Sequence, residues 1–445
     1  MFHLDIYNNP RISKGQAYNQ VLRDRNTSSL LTAIDKDVHQ WKRKLIAPLL
    51  SDRSMRIFEA TMLDQINIFL RTLLQASQQN KIVDVSPPTE RLAVDVIGQL
   101  AFGYQLDTQI DPTHRGVVEG IKRRGSSMTL YFFWERLHFL HRLVDWLIGQ
   151  EDIHSFHGSL KVMVGARMKI PKDAKHDFYA FTSGDQGLSG EKLWLEALMF
   201  IGAGGSTVAT AISAALFYLT GNPQTYARLA EEIRGAFTAV DDIRQGPALS
   251  GCKYLRAVID ETMRLSPPTL AHTWREQDPS SIAAGEVLTV DGYVVPPGTQ
   301  VAVSSYTLYH DPQYFPDPYA FRPERWLQPE HTSDSSASEI EASQEQQEAF
   351  SAMRHAFIPF LIGDRNCVGK SMAYMEISLV LARTIWCFDF TRASGSAGNL
   401  GGGSPGSGEG REKVGEYQLY EGFVVGHEGP NLAFTPREGA TEGLL

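Results

Sequence analysis

The sequence predicts a mainly α-helical protein that carries small β-sheets. Apolar residues recur at spacings of three and four along 53–75, as on one face of a helix, and 193–219 is almost wholly apolar. Residues 287–303 instead have β character, because two short runs rich in valine flank Asp291-Gly292, a dipeptide typical of tight hairpin turns. Long helical segments and one short hairpin therefore indicate the fold class.

The remaining elements follow in chain order. Residues 82–85 are a strand candidate, and the Ser-Pro-Pro sequence after them is typical of a helix start, so a helix is predicted over 86–102. A helical pattern covers 113–170, and the last predicted helix runs over 370–386. The segment 113–170 is rich in aromatic residues, which we expect to pack in the core: Tyr131, Phe132, Phe133, Trp134 and Phe139.

The apolar stretch 193–219 is long enough to cross a bilayer. Small and polar residues within it make a poor surface for lipid: Glu196, Gly202, Gly204, Gly205, Ser206, Thr207, Thr210 and Ser213. We therefore predict a helix that crosses the protein core and is buried on all sides.

Composition excludes several classes of protein. The 445-residue chain is 42% hydrophobic and 21% charged, which is ordinary for a globular protein with a large core. Its net charge of −9 does not favour nucleic-acid binding. Three cysteines without a C-x-x-C pair argue against a zinc site and against a disulfide framework, and they fit a reducing compartment.

Two segments are of low complexity. Residues 331–347 are rich in Ser, Glu and Gln, and 393–410 are rich in Gly and Ser. Both are predicted to be solvated surface loops inserted in the domain. The first residues of the sequence are polar and charged, so neither a signal peptide nor a membrane anchor is predicted there.

The segment 360–369 has the pattern F-x-x-G-x-R-x-C-x-G around Cys367. Gly363 and Gly369 are expected to adopt conformations closed to other residues and to let the backbone approach a flat ligand. Cys367 precedes the last predicted helix, whose free N–H groups favour a negative sulfur and lower its pKa. Arg365 offers a fork of donors that suits a carboxylate. The pattern describes a pocket that holds one thiolate against a metal cofactor.

This segment resembles the cysteine-ligand loop of the cytochrome P-450 family. Other segments resemble family patterns in the family's order and cover nearly the whole chain. They are an H-x-x-x-R helix at 39–43, an oxygen-pocket helix at 203–207, an E-x-x-R helix at 261–264 and an F-x-P-E-R-W segment at 321–326. The resemblance implies one large domain, a catalytic domain over 1–445 that lacks the usual N-terminal anchor and first strands.

The resemblance also implies a role for each matched residue. Cys367 is implied to be the axial ligand of the iron in haem b, and Thr207, with Ser206 before it, to assist the protonation of oxygen. Family members usually have Asp or Glu where this chain has Ser206, which puts the efficiency of oxygen activation in question. The implied cofactor-binding residues are His39, Arg43, Ala203, Gly204, Arg275, Phe360, Arg365 and Gly369. The implied structural triad behind the cysteine loop is Glu261, Arg264 and Arg325.

The function implied is that of a fungal microsomal monooxygenase, with electrons from an NADPH-dependent flavoprotein reductase. One atom of O2 is inserted into a lipophilic substrate, in secondary metabolism, at the cytoplasmic face of the endoplasmic reticulum. The segment 113–170 corresponds to the lid over the substrate pocket, which also faces the membrane in the family. Lys42, Arg43, Lys44 and Lys370 are expected to form a basic patch for the reductase.

Two alternatives remain open from the sequence. Ser206 in the position of an acid is also consistent with a haem-thiolate isomerase, dehydratase or peroxygenase that needs no reductase. The missing N-terminal strands are also consistent with an inactive, truncated haem protein.

Overall fold

The computed structural model describes residues 2–20, 28–133, 151–184, 187–328, 337–408 and 410–444. Helices within these ranges are numbered α1 to α16 and strands β1 to β9. The first helices are α1 Phe2–Tyr7, α2 Ala17–Gln20, α3 Lys36–Ile46, α4 Asp52–Gln78, α5 Ser86–Phe102, α6 Gly116–Phe133, α7 Glu151–Met168 and α8 Phe178–Thr182. The later helices are α9 Gly190–Gly221, α10 Pro223–Ala236, α11 Pro247–Gly251, α12 Lys253–Leu265, α13 Pro279–Ala283, α14 Ser305–Tyr309, α15 Ala337–Ala356 and α16 Lys370–Cys387.

The strands are short and form small antiparallel sheets. They are β1 Ile12–Lys14, β2 Val83–Asp84, β3 Arg275–Gln277, β4 Leu288–Val290, β5 Tyr293–Val295, β6 Phe388–Arg392, β7 Leu419–Tyr420, β8 Gly426–His427 and β9 Asn431–Pro436. A three-stranded sheet has the order β2-β9-β6, and the pairs β1-β3, β4-β5 and β7-β8 form separate ladders. The fold is therefore mainly helical, as predicted.

The helix α9 runs through the hydrophobic core and packs along α5, α12 and α16. It is the one helix in the described part of the chain with the length and hydropathy of a membrane span, and 78% of its most apolar window is buried inside the protein. The prediction of a buried core helix over 193–219 is confirmed. Most of its stability therefore comes from apolar surface removed from water.

Several predicted elements have the expected bounds. The helix predicted over 86–102 is α5, and the helices predicted over 53–75 and 370–386 are α4 and α16 with one to three more residues at some ends. The hairpin pairs Leu288 with Val295 and Val290 with Tyr293 across the Asp-Gly turn. Residues 113–170 contain α6 and α7, whereas Trp134 and Phe139 lie outside the described residues.

The prediction of a loop over 331–347 is wrong from Ala337 onward, where α15 begins and continues to Ala356. Alanine, glutamate and glutamine are strong helix formers, so a composition that indicates solvation is also compatible with a surface helix. Its residues 344–349 are exposed, which agrees with a surface position. Residues 331–336 lie outside the described part of the chain.

The segment 393–410 is only partly a solvated loop. Gly398 and Gly403 are buried, and a side chain at Gly403 would press against the backbone carbonyls of Arg411 and Lys413. A glycine-rich sequence serves tight backbone packing as well as flexibility, and composition alone does not separate the two.

A short antiparallel ladder forms near the start of the described residues. Strand β1 precedes α3 and pairs with β3 in a register that joins Ile12 to Gln277 and Lys14 to Arg275. This pairing carries two cationic side chains into the same region of the protein, next to the candidate site.

Candidate functional site

The cysteine loop comprises residues 360–369 and leads directly into α16. Its shape depends on a hydrogen bond that the Cys367 N–H donates to the Phe360 carbonyl, 2.8 Å away. Gly363 has φ 71° and lies so close to the Tyr7 carbonyl that a side chain would overlap it. A glycine is required at this position, as predicted. Leu361 also has a positive φ of 57°, a strained feature that the sequence pattern did not indicate.

Gly369 does not need the conformational freedom predicted for it. Its φ is −87°, which other residues also adopt, and a Cβ would lie 3.9 Å from the Cys367 sulfur, an ordinary contact. Its backbone N–H is hydrogen-bonded to the sulfur and favours the thiolate. The backbone amide of Gly369 therefore stabilises the thiolate, and the lack of a side chain leaves space beside the Cys367 sulfur.

The Cys367 side chain has accessible surface, yet burial is the largest cause of its pKa shift. That surface therefore faces an internal space and not bulk water. Burial raises the pKa of the thiol, and the Gly369 amide, Arg43 and Lys370 oppose this rise. The helix start and its neighbours thus lower the pKa, as predicted, but burial outweighs them, and the net pKa in the protein alone is raised. A coordinated metal ion deprotonates a thiol outright, so the site still suits metal ligation.

Helix α9 contributes Ala203 and Thr207, one turn apart on the same face. Ala203 is exposed in the middle of a helix whose neighbouring turns are buried, so this face too borders an open space. The Thr207 hydroxyl donates to the Ala203 carbonyl at 2.7 Å. Gly204 instead lies against Ile97 of α5, where a Cβ would be 2.7 Å from that side chain. The structure thus assigns Gly204 a packing contact between α9 and α5.

Ser206 lies on a different face of α9 from Thr207 and is buried. Its carbonyl accepts a hydrogen bond from the Thr210 hydroxyl at 3.0 Å, and that hydroxyl lies 3.1 Å from His427 Nδ1. Burial lowers the pKa of His427 to about 3, so the imidazole is neutral at pH 7. The sequence did not single out His427, because a lone histidine in a loop-rich segment carries no distinguishing pattern.

The four predicted cationic or imidazole residues occupy one region near the cysteine loop. Arg365 donates to the carbonyls of Ala33 and Ile34 at 2.7 and 2.9 Å. Arg43 donates to the Asn366 carbonyl at 2.8 Å and so holds the residue before Cys367.

Arg275 belongs to the same region, on strand β3. It is buried and donates to the Thr273 and Trp274 carbonyls, and its guanidinium lies 5.1 Å from the Tyr7 ring centre. Its ladder partner on β1 is Lys14, another buried cation, which the sequence reasoning missed. The signal lies in the pairing of distant strands, which no local pattern shows.

These side chains act on one another electrostatically. The pKa of His39 falls to about 3 because of burial, with further contributions from Arg365, Lys14 and Arg43. Burial, followed by Arg365 and Arg275, holds the pKa of Lys14 well below its usual range. Burial and then Arg275 lower the pKa of Arg365 to about 10. Such mutual repulsion is relieved when an anion binds among the cations.

The residues present fit haem. A haem b held by a cysteine thiolate would need one protein sulfur beside an open internal space, and cations suit its two propionates. Cys367 supplies the sulfur, and the cation cluster formed by Lys14, Arg43, Arg275 and Arg365 has charge to offset two carboxylates. In the described residues no group of three or more His, Cys, Asp or Glu could hold a metal ion.

The three residues of the predicted triad are hydrogen-bonded to one another. Glu261 accepts two hydrogen bonds from Arg264, each at 2.9 Å, and one from Arg325 Nε at 3.1 Å. Its side chain and that of Arg264 are completely buried, and Arg325 is nearly so. The Trp326 indole also donates to Glu261 at 2.9 Å, a partner that the pattern did not predict.

Comparison with known proteins decides the family. The family model described as Cytochrome P450 matches residues 7–399. This chain belongs to the cytochrome P450 family. It is therefore an oxidoreductase, and the family implies haem as its cofactor.

Fungal proteins are similar to this P450 over most of their length. A cytochrome P450 monooxygenase of Gibberella zeae is 30% identical, over 98% of this chain and 97% of the relative. The cytochrome P450 monooxygenase apf7 of Gibberella fujikuroi is 30% identical, over 96% of this chain and 81% of the relative. The cytochrome P450 monooxygenase AKT7 of Alternaria alternata is 29% identical, over 96% of this chain and 80% of the relative.

The prediction of a basic surface patch on this P450 is wrong for one of its four residues, Lys42. Lys42 is buried, and its ammonium group lies 2.7 Å from the carboxylate of Glu196 on α9. Lys44 and Lys370 are exposed, as the prediction requires, whereas Arg43 is partly buried against Asn366. Lys42 faces inward because the α3 surface that bears it packs toward the core, which its neighbours in the sequence do not indicate.

Proposed function

We propose that this P450 is a haem-thiolate monooxygenase that inserts one atom of O2 into a lipophilic organic substrate in fungal secondary metabolism. The observation that carries the proposal is the Cys367 sulfur, which faces an internal space at the start of α16 beside a cluster of buried and partly buried basic residues. The relatives apf7 and AKT7, which are cytochrome P450 monooxygenases by name, support the reaction class.

Each residue proposed to hold haem has its own role. Cys367 is the iron ligand, and Arg43, Arg275, Arg365 and His39, together with Lys14, bind the propionates. Phe360, Gly369 and Ala203 border the haem, and Gly204 keeps α9 close to α5. When bound, haem supplies the redox chemistry that activates dioxygen. The protein orients it, excludes water from it and provides protons.

Thr207 is proposed to provide the proton. Its hydroxyl has accessible surface and donates to the Ala203 carbonyl. A threonine hydroxyl both donates and accepts, so it can pass a proton while remaining neutral. Ser206 adds a second hydroxyl on the neighbouring face, in place of the carboxylate usual in the family, and a water chain is then needed to resupply the proton.

Thr207→Val is expected to lower the product formed per NADPH consumed by roughly tenfold or more, because general-acid assistance is lost while the side-chain shape is kept. Haem content and spectra should stay as in the wild type. Thr72→Val is the matched control, since Thr72 makes the same type of bond to the Ile68 carbonyl on α4. If both variants form the same amount of product per NADPH consumed, Thr207 has no role in supplying the proton.

Electrons are proposed to come from an NADPH-dependent flavoprotein reductase that docks at the face bearing Lys44 and Lys370. The proposed location is the cytoplasmic face of the endoplasmic reticulum membrane, with 113–170 as the lid over the substrate pocket. The proposed catalytic domain is the chain 1–445, with 331–347 and 393–410 as surface inserts.

The test is a pair of measurements on haem-loaded protein. The reduced carbon monoxide complex is expected to show the far-red-shifted Soret band of thiolate ligation, and oxidation of a lipophilic substrate is expected to require reductase, NADPH and O2 together. Turnover without a reductase would favour an isomerase, dehydratase or peroxygenase. This alternative follows from Ser206, which stands where the family usually has an acidic residue. A well-folded protein without the shifted band would favour an inactive haem protein.

A further inference from the structure

A cluster of polar side chains joins Arg256 and Asp260 of α12 to Tyr374 of α16. Arg256 Nε lies 3.1 Å from both carboxylate oxygens of Asp260, and the Tyr374 hydroxyl donates to the same carboxylate at 2.7 Å. The Arg256 guanidinium also covers the Tyr374 ring, 3.5 Å from its centre. Each of the three side chains thus contacts both others, which restricts the position of the Tyr374 ring.

This cluster reaches the cysteine loop through one aromatic contact. The Tyr374 ring lies 5.1 Å from the Phe360 ring, at an interplanar angle of 50°. Phe360 in turn accepts the hydrogen bond from the Cys367 N–H at 2.8 Å. The route from the Asp260 carboxylate to the residue that bears the sulfur therefore consists of one hydrogen bond, one ring contact and one backbone bond.

The cluster also connects the loop to the surface. The Asp260 side chain is 2% exposed, whereas that of Arg256 is 47% exposed. A buried carboxylate must be compensated, and here Arg256 and the Tyr374 hydroxyl do so, with Arg354 3.6 Å away. Burial and the nearby Asp260 charge raise the pKa of Tyr374, so its hydroxyl remains a donor at neutral pH.

We propose that Tyr374 is a positioning residue for Cys367, held by Asp260 and Arg256, and that it acts by fixing Phe360 behind the sulfur. The proposal rests on the proposed function, since it assigns Cys367 to haem iron. Thiolate donation to a metal depends on the hydrogen bonds and the orientation of the ligand, which neighbouring groups tune. A loosened Phe360 is expected to loosen the Cys367 backbone bond and to alter the thiolate's interaction with iron.

The test replaces Tyr374 with phenylalanine, which keeps the ring and removes the bond to Asp260. The haem reduction potential is expected to shift, and the reduced carbon monoxide complex is expected to lose its red-shifted Soret band roughly two- to tenfold faster than in wild type, the equivalent of one hydrogen bond. Tyr226→Phe is a matched control on α10. The Tyr226 hydroxyl donates to Asp389, which also pairs with Arg234, and its ring lies 4.9 Å from Phe390, far along the chain from the loop.

Tyr226→Phe should leave the haem reduction potential and the rate of loss of the red-shifted Soret band unchanged. This is expected even if Tyr226→Phe and Tyr374→Phe lose the same amount of stability. Identical values for Tyr374→Phe and wild type, or equal shifts in both variants, would overturn the positioning role. Should Tyr374→Phe fail to fold, Arg256→Met at the exposed end of the cluster is expected to shift the potential away from the wild-type value, and no shift there would overturn the proposal. A missing red-shifted band in wild-type protein would instead contradict the proposed function itself.

Discussion

Cys367→Ser is expected to abolish haem-dependent oxidation while leaving the polypeptide folded. A serine hydroxyl remains neutral under conditions in which a metal-bound thiol is a thiolate, so the iron loses its anionic sulfur ligand. The reduced carbon monoxide complex should lose its red-shifted Soret band completely, and turnover should fall to the background rate. The measurements are the spectrum and product formation with reductase, NADPH and O2.

Cys252→Ser is the control for this variant. Cys252 is also a free cysteine, and its buried sulfur contacts the Ala248 carbonyl, an acceptor that a serine hydroxyl also reaches. Its spectrum and turnover should match those of wild type. Undiminished oxidation by Cys367→Ser would contradict the assignment of the ligand and with it the proposed function.

Glu261→Ala is expected to lose folded protein and haem together. The change leaves Arg264 and Arg325 buried without their carboxylate, and it removes the acceptor for Trp326 and for the Arg322 amide. Breaking a buried ion pair by deleting one partner costs about 3–5 kcal/mol, a large part of the stability of an ordinary domain. Urea unfolding followed by both fluorescence and haem absorbance measures the loss.

Arg11→Ala is the comparison for this loss. Its ion pair with Glu286 is exposed, with side-chain accessibilities of 52% and 40%, so its removal is expected to cost less than about 1 kcal/mol. Wild-type haem content and stability in Glu261→Ala would show that the triad does not hold the cysteine loop in place.

Cys367→Ser and Glu261→Ala distinguish a residue proposed to bind the cofactor from a residue that stabilises the fold. Cys367 is proposed to bind the cofactor, whereas the hydrogen bonds described for Glu261 join it to Arg264 and Arg325 and not to the sulfur. We therefore expect Cys367→Ser to lose the red-shifted Soret band but to unfold as the wild type does. We expect Glu261→Ala to lose both the red-shifted band and the stability to unfolding.

Local patterns were good guides where a physical requirement is local. Gly363 was predictable, because a backbone with a positive φ favours glycine, and the pair Glu261 and Arg264 was predictable, because residues three apart share a helix face. The hairpin at 288–295 was equally clear from its Asp-Gly turn.

Composition was a poorer guide. The Ala-, Glu- and Gln-rich part of 331–347 was predicted to be loop and is helical from Ala337, because solvated loops and surface helices use the same polar residues. Lys42 was predicted to lie on the surface beside Lys44 and is buried against Glu196, a residue 154 positions away.

The sequence by itself determined the helical class, the family and the cysteine that carries the proposed chemistry, because each of these depends on residues close together in the chain. Only the tertiary structure decided which charges are buried together. Lys14 joins Arg275 through a strand pairing that spans more than half of the chain, and Tyr374 reaches Asp260 from another helix. Electrostatic energies depend on the distances between charges and on their burial, and the order of residues in the chain gives neither of these quantities.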